Sequence, residues 1–385
     1  MSTIITDKIV SGGDCIGKIN GKTIFVSGAL PGETVEIKIT SQKKDYDKAC
    51  VTKIIKPSEH RVKPFCPLYG ICGGCNLQIA DFEYQSTLRK QIMEDLLSRT
   101  FYHLNVILPK IEVITGKETE YRNRFQFTEG GLQKKAKNES VKLKDCPVAV
   151  PEIRKFLSNK TNQKKIKYGR TYVFADKSIQ GDSKVITDLT ENTLCTINLQ
   201  AEGDDQTHNI LFDVRGFFQS NLDLLQKTIP YLTEDLAGDH LLDMYAGVGT
   251  ISVFAGKNFK KVSLVEHNKK ALAFAKKNLQ HLINNGIEIN TFPLSGERWV
   301  KTLKPEQSNF DAIIVDPPRS GIEKSVLTWL STSTVKTIRY MSCNPVTLAR
   351  DAKVLVQNGY TIERLFMLDF YPQTSHIEAL AWFKK

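Results

Sequence analysis

Over the first 55 or so residues apolar and polar side chains alternate, as in Lys22-Thr23-Ile24-Phe25-Val26, Thr34-Val35-Glu36-Ile37-Lys38-Ile39 and Ala49-Cys50-Val51-Thr52-Lys53-Ile54. A period of two marks strands with one buried face. The turn sequences Ser11-Gly12-Gly13, Asn20-Gly21 and Pro31-Gly32 separate them at the spacing of a small barrel. A helix is predicted from Asp81 to Ser98, with Asp81 as N-cap and Leu88, Ile92 and Leu96 on its apolar side. Residues from about 105 to 210 read as mixed strands and loops, Lys-rich from 134 to 167. From about 211 the period changes. Strands expected at His240–Met244, Lys261–Glu266, Glu288–Phe292, Phe310–Val315 and Thr337–Ser342 alternate with helices, one predicted at Lys269–Asn284. That alternation predicts an open parallel sheet whose ligand sits at the carboxyl ends of the strands. The tail differs again: Thr361–Asp369 and His376–Phe383 read as two strands joined by a short loop.

Length and composition narrow the class. At about 150 residues per domain, 385 residues predict two or three domains. Hydrophobic residues at 41% and charged residues at 25% are ordinary for globular chains and exclude a disordered or fibrous one. No apolar run approaches the roughly 18 residues of a membrane span. The N-terminal stretch from Met1 to Val10 carries Asp7 and lacks a long apolar core, so no secretory signal is expected and the chain is placed in the cytoplasm. Net charge is +11, and residues 1–200 hold 32 of the 53 Lys and Arg but 22 of the 42 Asp and Glu. A basic front on a nearly neutral back suggests that the front meets a polyanion.

Disulfides are uncommon in a cytoplasmic chain, so clustered cysteines point to metal or chemistry. Cys66, Cys72 and Cys75, with the distant Cys146, offer four thiolates. Four sulfurs hold zinc or an iron–sulfur cluster equally well. Five residues between the first pair, and Cys146 standing alone before Pro147, depart from an ordinary zinc ribbon. Cys15, Cys50 and Cys195 have no such company and are expected to be packed thiols.

The remaining chemistry gathers at predicted strand ends. Leu241-Leu242-Asp243-Met244-Tyr245-Ala246-Gly247-Val248-Gly249-Thr250 is a buried strand, a Gly-rich turn and a helix start, where backbone can approach a ligand closely. Glu266, closing the next strand, is placed to hold ribose hydroxyls of either a dinucleotide or an adenosyl cofactor. Asp316 precedes two prolines that stop the sheet and hold the chain extended toward the cleft. Cys343, at the end of the fifth strand, is a candidate nucleophile. Glu378 enters an otherwise apolar strand, where a carboxylate is costly without a task such as general base; His376 is the rival. Arg122 and Arg124 interleave with Phe125 and Phe127, a mixture that suits phosphate contact and base stacking. Phe217, within Arg215-Gly216-Phe217-Phe218-Gln219-Ser220-Asn221, is a further candidate for packing against a base.

The Cys-x5-Cys-x2-Cys cluster, Asp316-Pro317-Pro318-Arg319, Ser342-Cys343-Asn344-Pro345 and the segment from Pro372 through Thr374 and His376 to Glu378 together resemble the RNA uracil-C5 methyltransferases. Gly17 to Glu33 resembles a TRAM domain, an RNA-binding barrel, and the joint resemblance covers essentially the whole chain. It implies a multidomain protein. Residues 1–55 would form an OB-like TRAM β-barrel, 56–210 a central α+β RNA-binding domain with the four-cysteine cluster, and 211–385 a Rossmann-like α/β class I methyltransferase domain. The closing hairpin agrees with that last assignment. By the same resemblance Cys343 adds to carbon 6 of a uracil, carbon 5 takes a methyl group from S-adenosylmethionine, and Glu378 removes the carbon 5 proton. This requires a thiol that ionises readily and a base taken out of its stack. Gln219, Tyr245, Gly247, Gly249, Glu266 and Asp316 would contact the cofactor, and the four cysteines would hold a [4Fe-4S] cluster. The RNA is rRNA or tRNA, with 23S rRNA favoured, and the chain is expected to act as a monomer. The competing class is a non-catalytic RNA-binding or chaperone protein on a methyltransferase scaffold, against which intact Cys343 and Glu378 argue. One departure lies at Pro293-Leu294-Ser295-Gly296-Glu297, where no acidic contact for the adenine side is evident.

Overall fold

The alternating front of the chain does fold as strands. In the computed structural model, which describes residues 2–135, 137–166, 168–181, 183–303 and 309–385, they form one six-stranded sheet. Its order is Ser2–Ile5, Thr34–Gln42, Tyr46–Lys56, Lys22–Ser27, Cys15–Ile19, Lys8–Ile9. Ile24, Val26, Val35 and Ile37, the inward positions of the alternation, are buried. The Pro31-Gly32-Glu33 turn is fixed by its carboxylate. Glu33 is fully buried and accepts from Leu30 N at 2.8 Å, Ser58 N at 3.1 Å and the Arg61 guanidinium at 2.5 and 2.7 Å. Burial opposes the Glu33 charge, but Arg61 and the two amides win and hold its carboxyl below the usual range.

The chain divides into two compact units: Met1–Asp95, Gly131–Lys142 and Tyr371–His376 make the first, and Leu96–Gly130, Leu143–Phe370 and Ile377–Lys385 the second. The predicted helix is Phe82–Phe101, with Asp81 accepting from Tyr84 N at 2.8 Å as its cap. Leu88, Ile92, Met93, Leu97 and Phe101 are buried, whereas Leu96 lies half-buried at the edge of that stripe.

The second unit is built on an eight-stranded sheet. In spatial order its strands are Glu288–Phe292, Phe259–Val265, Gly238–Met244, Ala312–Val315, Thr337–Ser342, Glu378–Lys384, Thr361–Leu368 and Ile111–Ile114. The first five are parallel, and the closing hairpin brings Glu378–Lys384 antiparallel against Thr337–Ser342. Near-continuous apolar runs such as Ala312–Val315 are buried throughout, as expected of a sheet covered on both faces. Beyond shifts of one or two residues at strand ends, as in the last strand, which starts at Glu378 and not at His376, two details differ from the sequence reading. Lys269–Asn284 is two helices, Lys269–Asn278 and Gln280–Asn284, because the turn tightens at Leu279, whose carbonyl takes Leu282 N three residues on. The eighth strand, Ile111–Ile114, comes from the stretch read as part of the middle domain and pairs in parallel with Thr361–Leu368. Among the described residues no helix is long and apolar enough to cross a membrane.

Candidate active site

Sheet register alone aligns the predicted residues. Ser342 pairs with Ala379 in the antiparallel ladder, so one further step sets Cys343 opposite Glu378. Val315 pairs in parallel with Met244 on one side and Tyr340 on the other, which brings Asp316 level with Tyr245 at the same edge.

Each of these residues is held locally. Tyr245, Gly247 and Gly249 all take the left-handed conformation, with φ of 66°, 54° and 75°. The two glycines serve different ends. A Cβ on Gly247 would project into open space, whereas one on Gly249 would come within 3.1 Å of Ala275 on the following helix. Glu266 is buried; its carboxylate accepts from Gly247 N at 3.1 Å and Asn268 N at 2.7 Å, and so shapes the turn while retaining lone pairs for a hydroxyl. The Gln219 side chain makes no hydrogen bond among the described residues, and the hydroxyl of its neighbour Ser220 is buried without a partner. Open space at Gly247 and the spare capacity of Glu266 fit an adenosyl cofactor.

Around Cys343, Ser342 and Asn344 bond to one another, Asn344 caps the helix Pro345–Gln357, and its amide donates to Arg319 O at 3.0 Å. The strand end carrying the thiol is thereby tied to the loop after Asp316. Electrostatics at this edge run against ionisation. Burial, then the carboxylates of Glu378 and Asp316, push the Cys343 thiol up to about 11, with Arg319 opposing them. Burial and Asp243 push Asp316 up to about 7, and burial and Asp316 raise Glu378 well above the carboxylate range. This surrounding disfavours ionisation of the Cys343 thiol, against the readily ionised thiol that the sequence reading expects.

Several residues in this arrangement escaped the sequence reading. Fully buried Asp351 accepts from Ile322 N and Tyr340 OH and fixes the loop after Asp316. Asn278 donates to Val248 O at 2.9 Å and exchanges two bonds with Leu211, locking the Gly-rich turn to a neighbouring strand. Buried Asp243, bonded to Ser252 Oγ at 2.5 Å, is itself pushed up to about 7 by burial. At Pro293–Glu297, where the sequence shows no acidic contact, Glu323 supplies a carboxylate from another loop, accepting from Glu297 N at 2.8 Å.

The other predicted residues belong to other elements. Arg122 stacks on Phe125 with 4.7 Å to the ring centre, and Arg124 donates to Gly216 O at 2.8 Å, so both are engaged within the protein. Phe217 is 70% exposed beside a buried Phe218 that stacks on Phe212. Cys66, Cys72 and Cys75 share one loop of the first unit, where Gly74 N points at Cys72 Sγ from 3.4 Å, and Cys146 belongs to the second unit. As placed, no group of three His, Cys, Asp or Glu among the described residues can hold a metal. Cys15 and Cys195 are buried and Cys50 half-buried.

Comparison with known proteins agrees with this geometry. Residues 195–385 match the tRNA (uracil-5-)-methyltransferase family, and residues 3–51 the TRAM domain. An uncharacterized RNA methyltransferase of Treponema denticola is 41% identical, covering 99% of this chain and 98% of its own. The 23S rRNA (uracil(1939)-C(5))-methyltransferase of Photobacterium profundum is 29% identical over 99% of this chain and 93% of its own. The Pyrococcus abyssi tRNA (uracil-54, C5)-methyltransferase, solved with S-adenosyl-L-homocysteine, shares the fold with a TM-score of 0.73 at 22% identity, over 99% of this chain and all of that one. The chain belongs to the RNA (uracil-5-)-methyltransferase family of S-adenosylmethionine-dependent enzymes.

Proposed function

We propose that this protein methylates carbon 5 of one uridine in RNA through a covalent adduct between Cys343 and carbon 6. The observation that supports the reading is the pairing of Ser342 with Ala379, which leaves Cys343 and Glu378 each one residue beyond the end of that ladder. Carbon 5 of uracil is too weak a nucleophile to take a methyl group unaided. Attack by the Cys343 thiolate on carbon 6 forms an S–C bond and places the displaced electron pair on carbon 5 and its conjugated carbonyl. The cofactor, held by Gln219, Tyr245, Gly247, Gly249, Glu266 and Asp316, supplies the electrophilic methyl when bound. Glu378 then takes the carbon 5 proton, the C–S bond breaks, and Cys343 leaves as thiolate. A carboxylate whose proton affinity is raised by burial is a stronger acceptor for that proton than an exposed one.

Cys343→Ala should abolish methylation while leaving S-adenosylmethionine binding near normal; full activity in that variant would overturn the mechanism. Relatives that act on uracil 1939 of 23S rRNA favour large-subunit rRNA as the substrate of a cytoplasmic, monomeric enzyme. Nucleoside mass mapping of rRNA and tRNA from a deletion strain decides between the two RNAs. Arg122, Arg124 and the exposed Phe217 belong to the proposed RNA-facing surface, and residues 1–55, 56–210 and 211–385 to its barrel, cysteine-bearing and methyl-transfer parts. Cys66, Cys72, Cys75 and Cys146 are proposed as ligands of a [4Fe-4S] cluster, on their spacing and on the amide aimed at Cys72. Protein purified without oxygen should then carry iron and sulfide; stoichiometric zinc without either would replace the cluster by a zinc site.

A further inference from the structure

The loop Tyr371–His376 is far more heavily bonded than a connection between two strands requires. Gln373 at its centre is fully buried and sits at φ 71°, a conformation costly for a residue with a side chain. Hydrogen bonds from its backbone and its side chain hold it there. Its N–H donates to Gln85 Oε1 at 2.8 Å, its side-chain oxygen accepts from Gln85 Nε2 at 2.9 Å, and its carbonyl accepts from Asn76 N at 3.1 Å and Leu77 N at 3.0 Å. In the two residues that follow, Arg89 donates to Thr374 O at 2.9 Å, and the Asn76 amide exchanges bonds of 2.8 and 2.9 Å with Ser375.

Gln85 and Arg89 are themselves 0% and 1% exposed, one turn apart on a helix face that otherwise buries Leu88 and Ile92. Burying an amide and a guanidinium there is expensive unless their partners must be fixed. Glu378 comes two residues after the loop. Only Ile377 lies between His376 and that residue, and the three residue steps from Ser375 to Glu378 span at most about 10 Å, so a short stretch of chain ties the loop to the residue that carries the carboxylate.

We infer that Gln85, Arg89 and Asn76 are positioning residues for Glu378, acting through the strained loop at Gln373. This rests on the reading of Glu378 as the base that removes the carbon 5 proton. The residue immediately after Cys75 thus takes part in aiming the base, which gives the cysteine loop a mechanical link to the chemistry independent of any metal.

Gln85→Ala and Gln373→Gly in the full chain test it, with Glu378→Gln as reference. Gln373→Gly guards against failure to fold, since glycine adopts the positive φ without strain and the backbone bonds to Gln85, Asn76 and Leu77 remain possible. Both variants should melt cooperatively and bind RNA with unchanged KM. Their kcat should fall about ten- to a hundredfold, the scale of a misplacement of an ångström or less. They should also accumulate the covalent protein–RNA adduct on a denaturing gel, as Glu378→Gln does. A fall in kcat without adduct, while Glu378→Gln still traps it, overturns the positioning role and leaves the base intact. Wild-type kcat in both variants overturns it equally. If Glu378→Gln turns over and traps nothing, the base assignment fails and this inference with it.

Discussion

A thiol held near 11 has only roughly one molecule in ten thousand ionised at neutral pH. Iodoacetamide should therefore label Cys343 slowly in the ligand-free protein, the rate climbing about tenfold per pH unit toward pH 11, as followed by peptide mass mapping. A flat profile above pH 8 would show an already ionised thiol. Asp316 gives a second pH signature. Its folded-state value of about 7 exceeds its ordinary one, so the folded protein binds that proton more tightly, and stability is lost as pH rises through the interval up to 7. Asp316→Asn removes the penalty. Its melting temperature should exceed that of the wild type by more at pH 8 than at pH 5, at the cost of methyl transfer. Cys343, Glu378, Asp316 and Glu266 were legible in the sequence because each ends or begins a recognisable strand. Asp351, Asn278 and Glu323 were not. Their partners lie 29, 67 and 26 residues away, at distances no local pattern encodes.

Among elements, period-two alternation and the switch to strand–helix repeats foretold both principal sheets, since burial on one face or on both leaves its mark along a strand. Ile111–Ile114 carried no such mark: four residues at a sheet edge bury only Ile111 fully. The loop at Gln373 was equally opaque, for nothing in Tyr371-Pro372-Gln373-Thr374 announces partners on a helix 288 residues earlier. The Pro-Gly-Glu turn, by contrast, was noted in the sequence, and the structure supplies its cause. Glu33 is buried and its partner Arg61 half-buried, and removing the guanidinium strands the carboxylate. Arg61→Ala should cost about 3 kcal/mol of stability in the first unit, measured by denaturant unfolding at neutral pH. Because the folded Glu33 value is lowered, wild-type stability from this pair is present above the ordinary carboxylate range and fades as pH falls below it.

For the whole molecule, the excess charge in residues 1–200 should make RNA affinity fall steeply with salt, as neutralised phosphates release counterions. Arg122→Ala with Arg124→Ala should weaken binding by about 2–3 kcal/mol, by filter binding, with a flatter salt slope and unchanged cofactor affinity. A chain starting near residue 205 would lack Ile111–Ile114 and bare the Thr361–Leu368 edge; light scattering should find it prone to self-association unless that strand is restored. The interleaving of the two units also sets a clock. Gln373 is made 288 residues after Gln85, a delay of roughly 15–60 s at the usual pace of synthesis. Throughout that interval the amide and guanidinium on the early helix have no strand-end loop to receive them. The N-terminal unit, although the strands of its sheet emerge first, is among the last parts of the newborn chain to be finished.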